Sequence, residues 1–175
     1  MQDYEFTLKF TFSGSTVNPE SYVEQLAEAG CDDALVGIGQ NGRIALNFNR
    51  ESDNAFNAVC SAIKDIKSVI PDAKLIEATP DFVGLSDIAK LIGYSSQNIK
   101  NMMLNSGVDF PLPVHEGNAS IWHLANVLDW LKKGKNYQID DSLLEVAKAN
   151  MQLNITKESF NLDPVIRHQM GAILS

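Results

Sequence analysis

The residues that most constrain the fold stand at the start of the chain, where bulky side chains recur at every second position. They are Tyr4, Phe6, Leu8, Phe10 and Phe12, and mostly polar residues stand between them. Successive side chains of a strand point to opposite faces, so this spacing predicts a strand with one apolar face. That face must be covered, which requires further elements packed against it.

The next seventy residues contain elements that can do so. Asn18 followed by Pro19 predicts the start of a helix, and Gly30 its end. Two alternating segments flank Gln40-Asn41-Gly42 and predict an antiparallel hairpin, because Asn-Gly favours tight turns. Apolar residues at steps of three and four after Asp53 predict a second helix. In order, the predicted elements are a helix over 18–30, strands over 34–39 and 43–49, a helix over 53–70 and a strand over 74–78.

This order of elements, βαββαβ, is that of the ferredoxin-like split βαβ arrangement. We therefore expect an α+β protein whose first domain covers residues 1–80. Thr79-Pro80-Asp81 interrupts the periodic pattern and marks the boundary to a second domain over 81–136. The fold hosts too many functions to indicate one.

The most specific stretch runs from Leu85 to Leu104 and predicts a helix-turn-helix. Ala89 is small where the two helix backbones approach, and Gly93 can take the positive φ that a tight turn needs. Apolar residues occupy the positions where crossed helices meet: Ile88, Ile92, Tyr94, Ile99 and Met102.

The second of these helices has a polar side that suits DNA. Ser95 or Ser96 can cap its start, and Ser96, Gln97, Lys100 and Asn101 are predicted to be exposed. Gln and Asn can bind adenine with two hydrogen bonds, Ser can bind base or phosphate, and Lys can reach guanine or phosphate. A plain helical hairpin with a solvated polar face is the alternative.

The residues after this pair predict a wing. Residues 109–114 form its first strand, 115–118 its tip and 119–122 its return strand, and a helix follows with Leu124, Val127, Leu128 and Leu131 on one side. Here the sequence resembles the small bacterial winged helix-turn-helix regulators of the AlpA and MerR type. The matching residues are Phe110-Pro111-Leu112-Pro113, Trp122 and Asp129-Trp130-Leu131, and the resemblance covers about residues 82–133.

This resemblance implies that the second helix enters the major groove and that the wing, with His115 and Asn118 at its tip, lies against the flanking backbone or the minor groove. Family wings usually carry Arg or Lys at the tip, whereas this tip carries Glu116. Three lysines beyond the following helix are candidates to supply the missing charge, although they can equally be a solvated helix end. They are Lys132, Lys133 and Lys135.

The net charge of −8 argues against the simplest nucleic-acid binder, but it is unevenly distributed. Residues 1–81 carry 6 basic and 13 acidic groups, hence −7, and residues 82–136 carry 5 and 4, hence +1. Residues 137–175 carry 3 and 5, hence −2. Because one copy of the second domain attracts phosphates only weakly, we expect a homodimer that binds two half-sites.

The last segment, residues 137–175, is predicted to be helical. From Ser142 to Asn154, Leu143, Leu144, Ala147 and Met151 are spaced for one face, which can pack on a partner subunit. Pro164 interrupts the pattern, and residues 165–174 are predicted to form a small closing helix.

Other chemistry finds little support in the sequence. Gly37-Ile38-Gly39-Gln40-Asn41-Gly42 fits GxGxxG, but a strand follows where a dinucleotide site needs a helix. The three histidines and two cysteines lack the spacing of a metal site, and both tryptophans are expected in the core. We therefore expect no enzyme, cofactor or metal. The chain has no secretory signal or membrane-spanning run, which favours the cytoplasm.

The sequence thus predicts a sequence-specific regulator of transcription that binds double-stranded DNA. Its acidic first domain would mediate dimerisation or receive a protein or small-molecule signal. The alternative is a protein-interaction module, such as an antitoxin or adaptor, whose acidic half covers a basic partner and whose helix-turn-helix is only a scaffold.

Overall fold

A four-stranded antiparallel sheet forms the first half of the protein. The computed structural model describes residues 1–13, 17–134 and 137–175. The strands are β1 (Gln2–Thr11), β2 (Ala34–Gly37), β3 (Arg43–Ser52) and β4 (Lys74–Thr79), in the order β2-β3-β1-β4. β1 lies in the centre and pairs with both β3 and β4. The predicted antiparallel pairing of β2 with β3 is confirmed.

The alternating residues of β1 form the apolar face as predicted. Tyr4, Phe6, Leu8 and Phe10 are buried, and Phe6 stacks on Phe48, its partner in β3, with ring centroids 5.2 Å apart. Two helical segments from the first half cover this face. One is α1 (Val23–Leu26), flanked by a 3₁₀ turn at Pro19–Tyr22 and a wider turn at Ala27–Cys31, and the other is α2 (Ala55–Val69).

β3 is longer than the sequence indicated, because its inward-facing row ends in a charged residue. The prediction stopped at residue 49, whereas Arg50 continues the row of Ile44, Leu46 and Phe48 and is buried. A buried cation requires partners. The Arg50 guanidinium accordingly contacts Asp33 Oδ2 at 2.7 Å and Asp65 Oδ2 at 2.8 Å, which places both carboxylates at the edge of the core.

A second core lies in residues 82–134. Its elements are β5 (Phe82–Val83), α3 (Leu85–Ile92), α4 (Ser96–Ser106), a 3₁₀ turn at Gly107–Asp109, β6 (Trp122–His123) and α5 (Leu124–Gly134). β5 pairs with β6, so the start of this segment lies beside the residues that lead into α5. The buried apolar residues include Ile88, Ile99, Trp122, Leu128 and Leu131.

The long helix α6 (Asp141–Ser159) packs on both cores. Val146, Ala149 and Leu153 contact the first core, and Leu144, Ala147 and Met151 contact the second. At 3.6 residues per turn these two sets lie on opposite sides of the helix. The predicted apolar face of Leu143, Leu144, Ala147 and Met151 is confirmed, and it packs on the second core. The opposite face, which contacts the first core, was not predicted, because α6 lies between two cores instead of covering one. The last helix, α7 (Pro164–Leu174), is formed as predicted over 165–174, but it does not close the fold, since all its residues are exposed.

Buried polar groups join α6 to the segment between the two halves. The Asn154 side chain accepts a hydrogen bond from Ala78 N at 2.9 Å and donates to Ala78 O and to Asp81 Oδ2, both at 2.8 Å. The other Asp81 oxygen lies 2.7 Å from His123 Nδ1, and Asn150 Nδ2 donates to Pro80 O at 3.2 Å. This cluster of Asp81, His123, Asn150 and Asn154, called the junction cluster below, connects β4, β6 and α6.

We expect Asn154→Ala to destabilise the protein by about 3 kcal/mol, because it removes the hydrogen bonds that Asn154 makes to the buried Ala78 backbone groups and to Asp81 Oδ2. Gln152→Ala is the matched control, since Gln152 is exposed on the same helix and should change stability by less than about 0.5 kcal/mol. Urea unfolding measures both. Equal effects of the two variants would contradict the importance of the junction cluster.

Candidate nucleic-acid interface

The turn between α3 and α4 has the geometry that the sequence predicted. Gly93 adopts φ 73° and ψ 29°, the left-handed conformation that ends α3, and Tyr94 N donates to Ala89 O at 2.8 Å. Ser95 caps α4 by accepting a hydrogen bond from Asn98 N at 3.1 Å. Ile88, Ala89 and Ile99 are buried where the two helices meet.

α4 therefore presents one side to the core and one to solvent. Ile99 is buried, and Met102 and Met103 pack partly on the same core. The predicted binding residues Ser96, Gln97, Lys100 and Asn101 are exposed, and so is Ser95 at the cap. Because Gln97, Lys100 and Asn101 are separated by three and four positions, they share one face opposite Ile99.

Gln97 and Asn101 act as one unit on this face. Gln97 Nε2 donates to Asn101 Oδ1 at 2.8 Å. This bond holds the two side chains in a common orientation and leaves Gln97 Oε1 as an acceptor and Asn101 Nδ2 as a donor. The arrangement thus presents one acceptor and one donor next to each other.

Sequence reasoning missed Leu104, which continues the same face one turn further along α4. Its side chain is 64% exposed. The helical spacing from Lys100 and Asn101 places it there. An exposed apolar group on this face can contact a thymine methyl in the major groove.

The segment predicted to be a wing, residues 109–122 and called the wing below, has a different pairing from the one predicted. A single bridge joins His115 to Ile121, and Val114 N donates to Ile121 O at 2.7 Å, so most of residues 109–114 is not a regular strand. Only Trp122 of the predicted return strand 119–122 belongs to a regular strand, β6, which pairs with β5 at Phe82–Val83. The two prolines in Phe110-Pro111-Leu112-Pro113 explain this difference, because proline cannot donate to a strand ladder.

Aromatic packing holds the base of the wing and accounts for the motif on which the resemblance rests. Phe110 is buried and meets Trp122 and Trp130 edge to face, with ring centroids 5.9 and 5.1 Å apart. The Trp122 indole donates to Pro111 O at 3.0 Å. Trp122 is buried and Trp130 half-buried, as expected of core residues.

The wing tip is compact, and both of its predicted binding residues, His115 and Asn118, are exposed. The His115 ring folds over Gly117, where a Cβ atom would lie 2.7 Å from His115 Nε2. A cleft of about 570 Å³ is lined both by the wing and by the end of α4, including Met103, Gly107 and Glu116. The wing is therefore adjacent to the end of α4.

The lysines at the end of α5 are paired with carboxylates. Lys132 contacts Asp141, and Lys133 Nζ lies 2.7 Å from Asp129 Oδ2. Lys148 Nζ lies 3.1 Å from the other Asp129 oxygen, Oδ1. The hydrogen bond from Lys133 lowers the pKa of the Asp129 carboxyl below its ordinary value, and Lys148 adds to this effect although partial burial opposes it. Lys135, the third predicted lysine, lies outside the described residues.

The GxGxxG segment and Cys31, which the sequence offered as candidates for other chemistry, are parts of the fold in the structure. In the GxGxxG segment β3 begins at Arg43, directly after the last glycine. Cys31 is buried, and desolvation raises the pKa of its thiol to about 11, so it is mainly in the protonated, unreactive form at neutral pH. Among the described residues, no group of three or more His, Cys, Asp or Glu is placed to hold a metal ion. No helix in that part of the chain is long and apolar enough to cross a membrane.

Comparison with known proteins finds no match to a family model, a curated protein or a solved structure.

We expect Gly93→Ala to destabilise the protein by roughly 1 kcal/mol, because an L side chain is strained at φ 73°. A Cβ atom at Gly93 would meet nothing within 4 Å, so the cost comes from the backbone alone. Gly39→Ala is the control, since its site is equally open and does not have a positive φ in the left-handed region. Urea unfolding compares the two, and an equal or smaller loss at Gly93 would be incompatible with the strained turn.

Proposed function

We propose that the protein is a cytoplasmic regulator of transcription that binds double-stranded DNA in a sequence-specific way. In this proposal residues 82–133 form a winged helix-turn-helix of the AlpA and MerR type. Residues 1–80 form a ferredoxin-like domain, with which the strand order β2-β3-β1-β4 agrees. The observation that carries the proposal is the exposed face of α4, where Gln97, Lys100 and Asn101 extend from a helix fixed on its other side by the core.

The donor and acceptor left on the Gln97–Asn101 unit are complementary to adenine. In the major groove adenine offers N7 as an acceptor and N6 as a donor. Gln97 Oε1 can accept from N6 while Asn101 Nδ2 donates to N7. Lys100 lies on the same face and supplies the positive charge for a nearby phosphate or guanine.

This surface carries little positive charge for contacts with DNA phosphates. The wing tip carries Glu116, and Lys132 and Lys133 are each paired with a carboxylate. Affinity therefore has to come from two copies acting on two half-sites, with strong dependence on salt concentration.

The ion pairs and the charge of −7 on residues 1–81 favour the second candidate, a protein-interaction module that covers a basic partner. In that case the exposed face of α4 is a solvated surface. Recovery of one basic protein in equal amount from the native host, in the absence of DNA, would support this function.

Selection from a pool of random-sequence DNA tests the first proposal. The full chain is incubated with the pool at low salt and at physiological salt, and the bound DNA is sequenced. We expect enrichment of a motif with two related half-sites. If folded protein enriches no motif at either salt concentration, the proposal is wrong.

We expect the Gln97→Ala and Asn101→Ala variants to lose preference at the same base pair. Because the two amides act as one unit, the double variant should lose clearly less discrimination than the sum of the single losses, with a coupling of about 1 kcal/mol. Lys100→Ala is the contrasting variant and should weaken binding to all sequences alike. Binding to the selected site and to single-base variants of it measures these effects, and unchanged preference in all three variants would place the reading face elsewhere.

A further inference from the structure

The segment from Ile155 to Ser175 exposes an apolar surface that none of the described residues covers. Every residue from Phe160 to Ser175 is exposed, including all of α7. Eight large apolar side chains in this region are between 51 and 87% exposed, and we call them the apolar arm. They are Ile155, Phe160, Leu162, Val165, Ile166, Met170, Ile173 and Leu174.

The helix that carries most of this arm is well formed and amphipathic. Asp163 caps α7 by accepting hydrogen bonds from Val165 N and Ile166 N, and Pro164 occupies its first turn. Ile166, Met170 and Ile173 follow at helical spacing and form one stripe, which Arg167, His168 and Gln169 do not interrupt. An exposed apolar stripe on a capped helix is typical of an interaction surface.

The area of the arm corresponds to that of a stable dimer interface. A side chain of this size presents roughly 60–120 Å² of apolar surface, so at the observed exposures eight of them offer on the order of 500 Å². A standard interface takes about 800 Å² from each partner, of which somewhat more than half is apolar. One arm from each of two copies therefore supplies the apolar part of such an interface.

The charge of this segment favours a second copy of the chain, over a membrane or a basic protein, as the partner of the apolar arm. From Ile155 to Ser175 the charged residues are Lys157, Glu158, Asp163 and Arg167, so this segment is neutral in a chain of net charge −8. Two copies can meet there with less repulsion than at the acidic first half. Helices that bind anionic membranes instead carry several basic residues on the polar face, and a basic protein would need an acidic surface.

We propose that the arms of two copies pack together across a two-fold axis and form the homodimer. Only the role of this dimer rests on the proposed function, since the dimer would place two DNA-binding units on two half-sites. It places the dimer contact in the apolar arm, and not in the acidic first half or on the face of residues 142–154, which are the two places that the sequence suggested.

Sedimentation velocity of the full chain without DNA tests this contact. At about 10 µM the protein should be a dimer. Ile166→Glu/Ile173→Glu should raise the dimer dissociation constant by about 100-fold or more, because four charges enter the apolar contact. The double variant Ile166→Ala/Ile173→Ala should raise the dimer dissociation constant less. This variant tests the apolar contact without adding charge.

Leu35→Glu and Phe56→Glu are the matched controls, since these side chains are 78 and 65% exposed but lie on β2 and α2. Both should remain dimeric. Far-UV circular dichroism checks that each variant is folded. A wild-type monomer at 10 µM, or dimers that persist in both double variants, would overturn the proposal.

Binding to the selected DNA is measured separately from association. If the chain forms an arm-dependent dimer but enriches no DNA motif, the dimer contact stands and the DNA-binding proposal fails. If it binds a motif as an arm-independent dimer, the DNA-binding proposal stands and the arm proposal fails.

Discussion

The burial of Asp81 and Asn154 is the constraint on which the two halves of the protein depend. A carboxyl group that is fully buried needs hydrogen bonds, and here they come from α6 on one side and from His123 on the other. Asn154 also completes the backbone hydrogen bonding of β4 at Ala78. Because these groups belong to the first sheet, the connecting segment and the second core, their partners fix how β4, β6 and α6 lie against each other.

Periodicity predicted the first half and the helix pair well, because in these segments each element has one buried side. The alternation of β1 and the three- and four-residue steps of α2 follow directly from burial on one face. Gly93 and Ser95 were predictable for a local reason, since a positive φ and a helix cap each favour few residue types. These positions define the frame of the candidate interface.

Apart from the effect of the two prolines in the wing, the differences between prediction and structure have a common physical cause, which is that contacts distant in sequence decided the outcome. α6 has two opposite apolar sides, and the sequence analysis recognised only one of them. Arg50 continues a strand only because Asp33 and Asp65 neutralise it. β5 was not predicted, since a two-residue strand forms only where β6 lies beside it, and the pairing of Lys132 with Asp141 depends on where α6 is placed.

The position of α6 also has a consequence for how the chain acquires its structure as it is synthesised. Domains usually fold as units while the polypeptide emerges, with the N-terminal one first. In this protein the sheet of residues 1–80 lacks the contacts of Val146 and Leu153 until more than seventy further residues have been added. The second core is likewise incomplete until Leu144 and Ala147 have been synthesised. Both halves therefore reach their final packing together, when α6 leaves the ribosome.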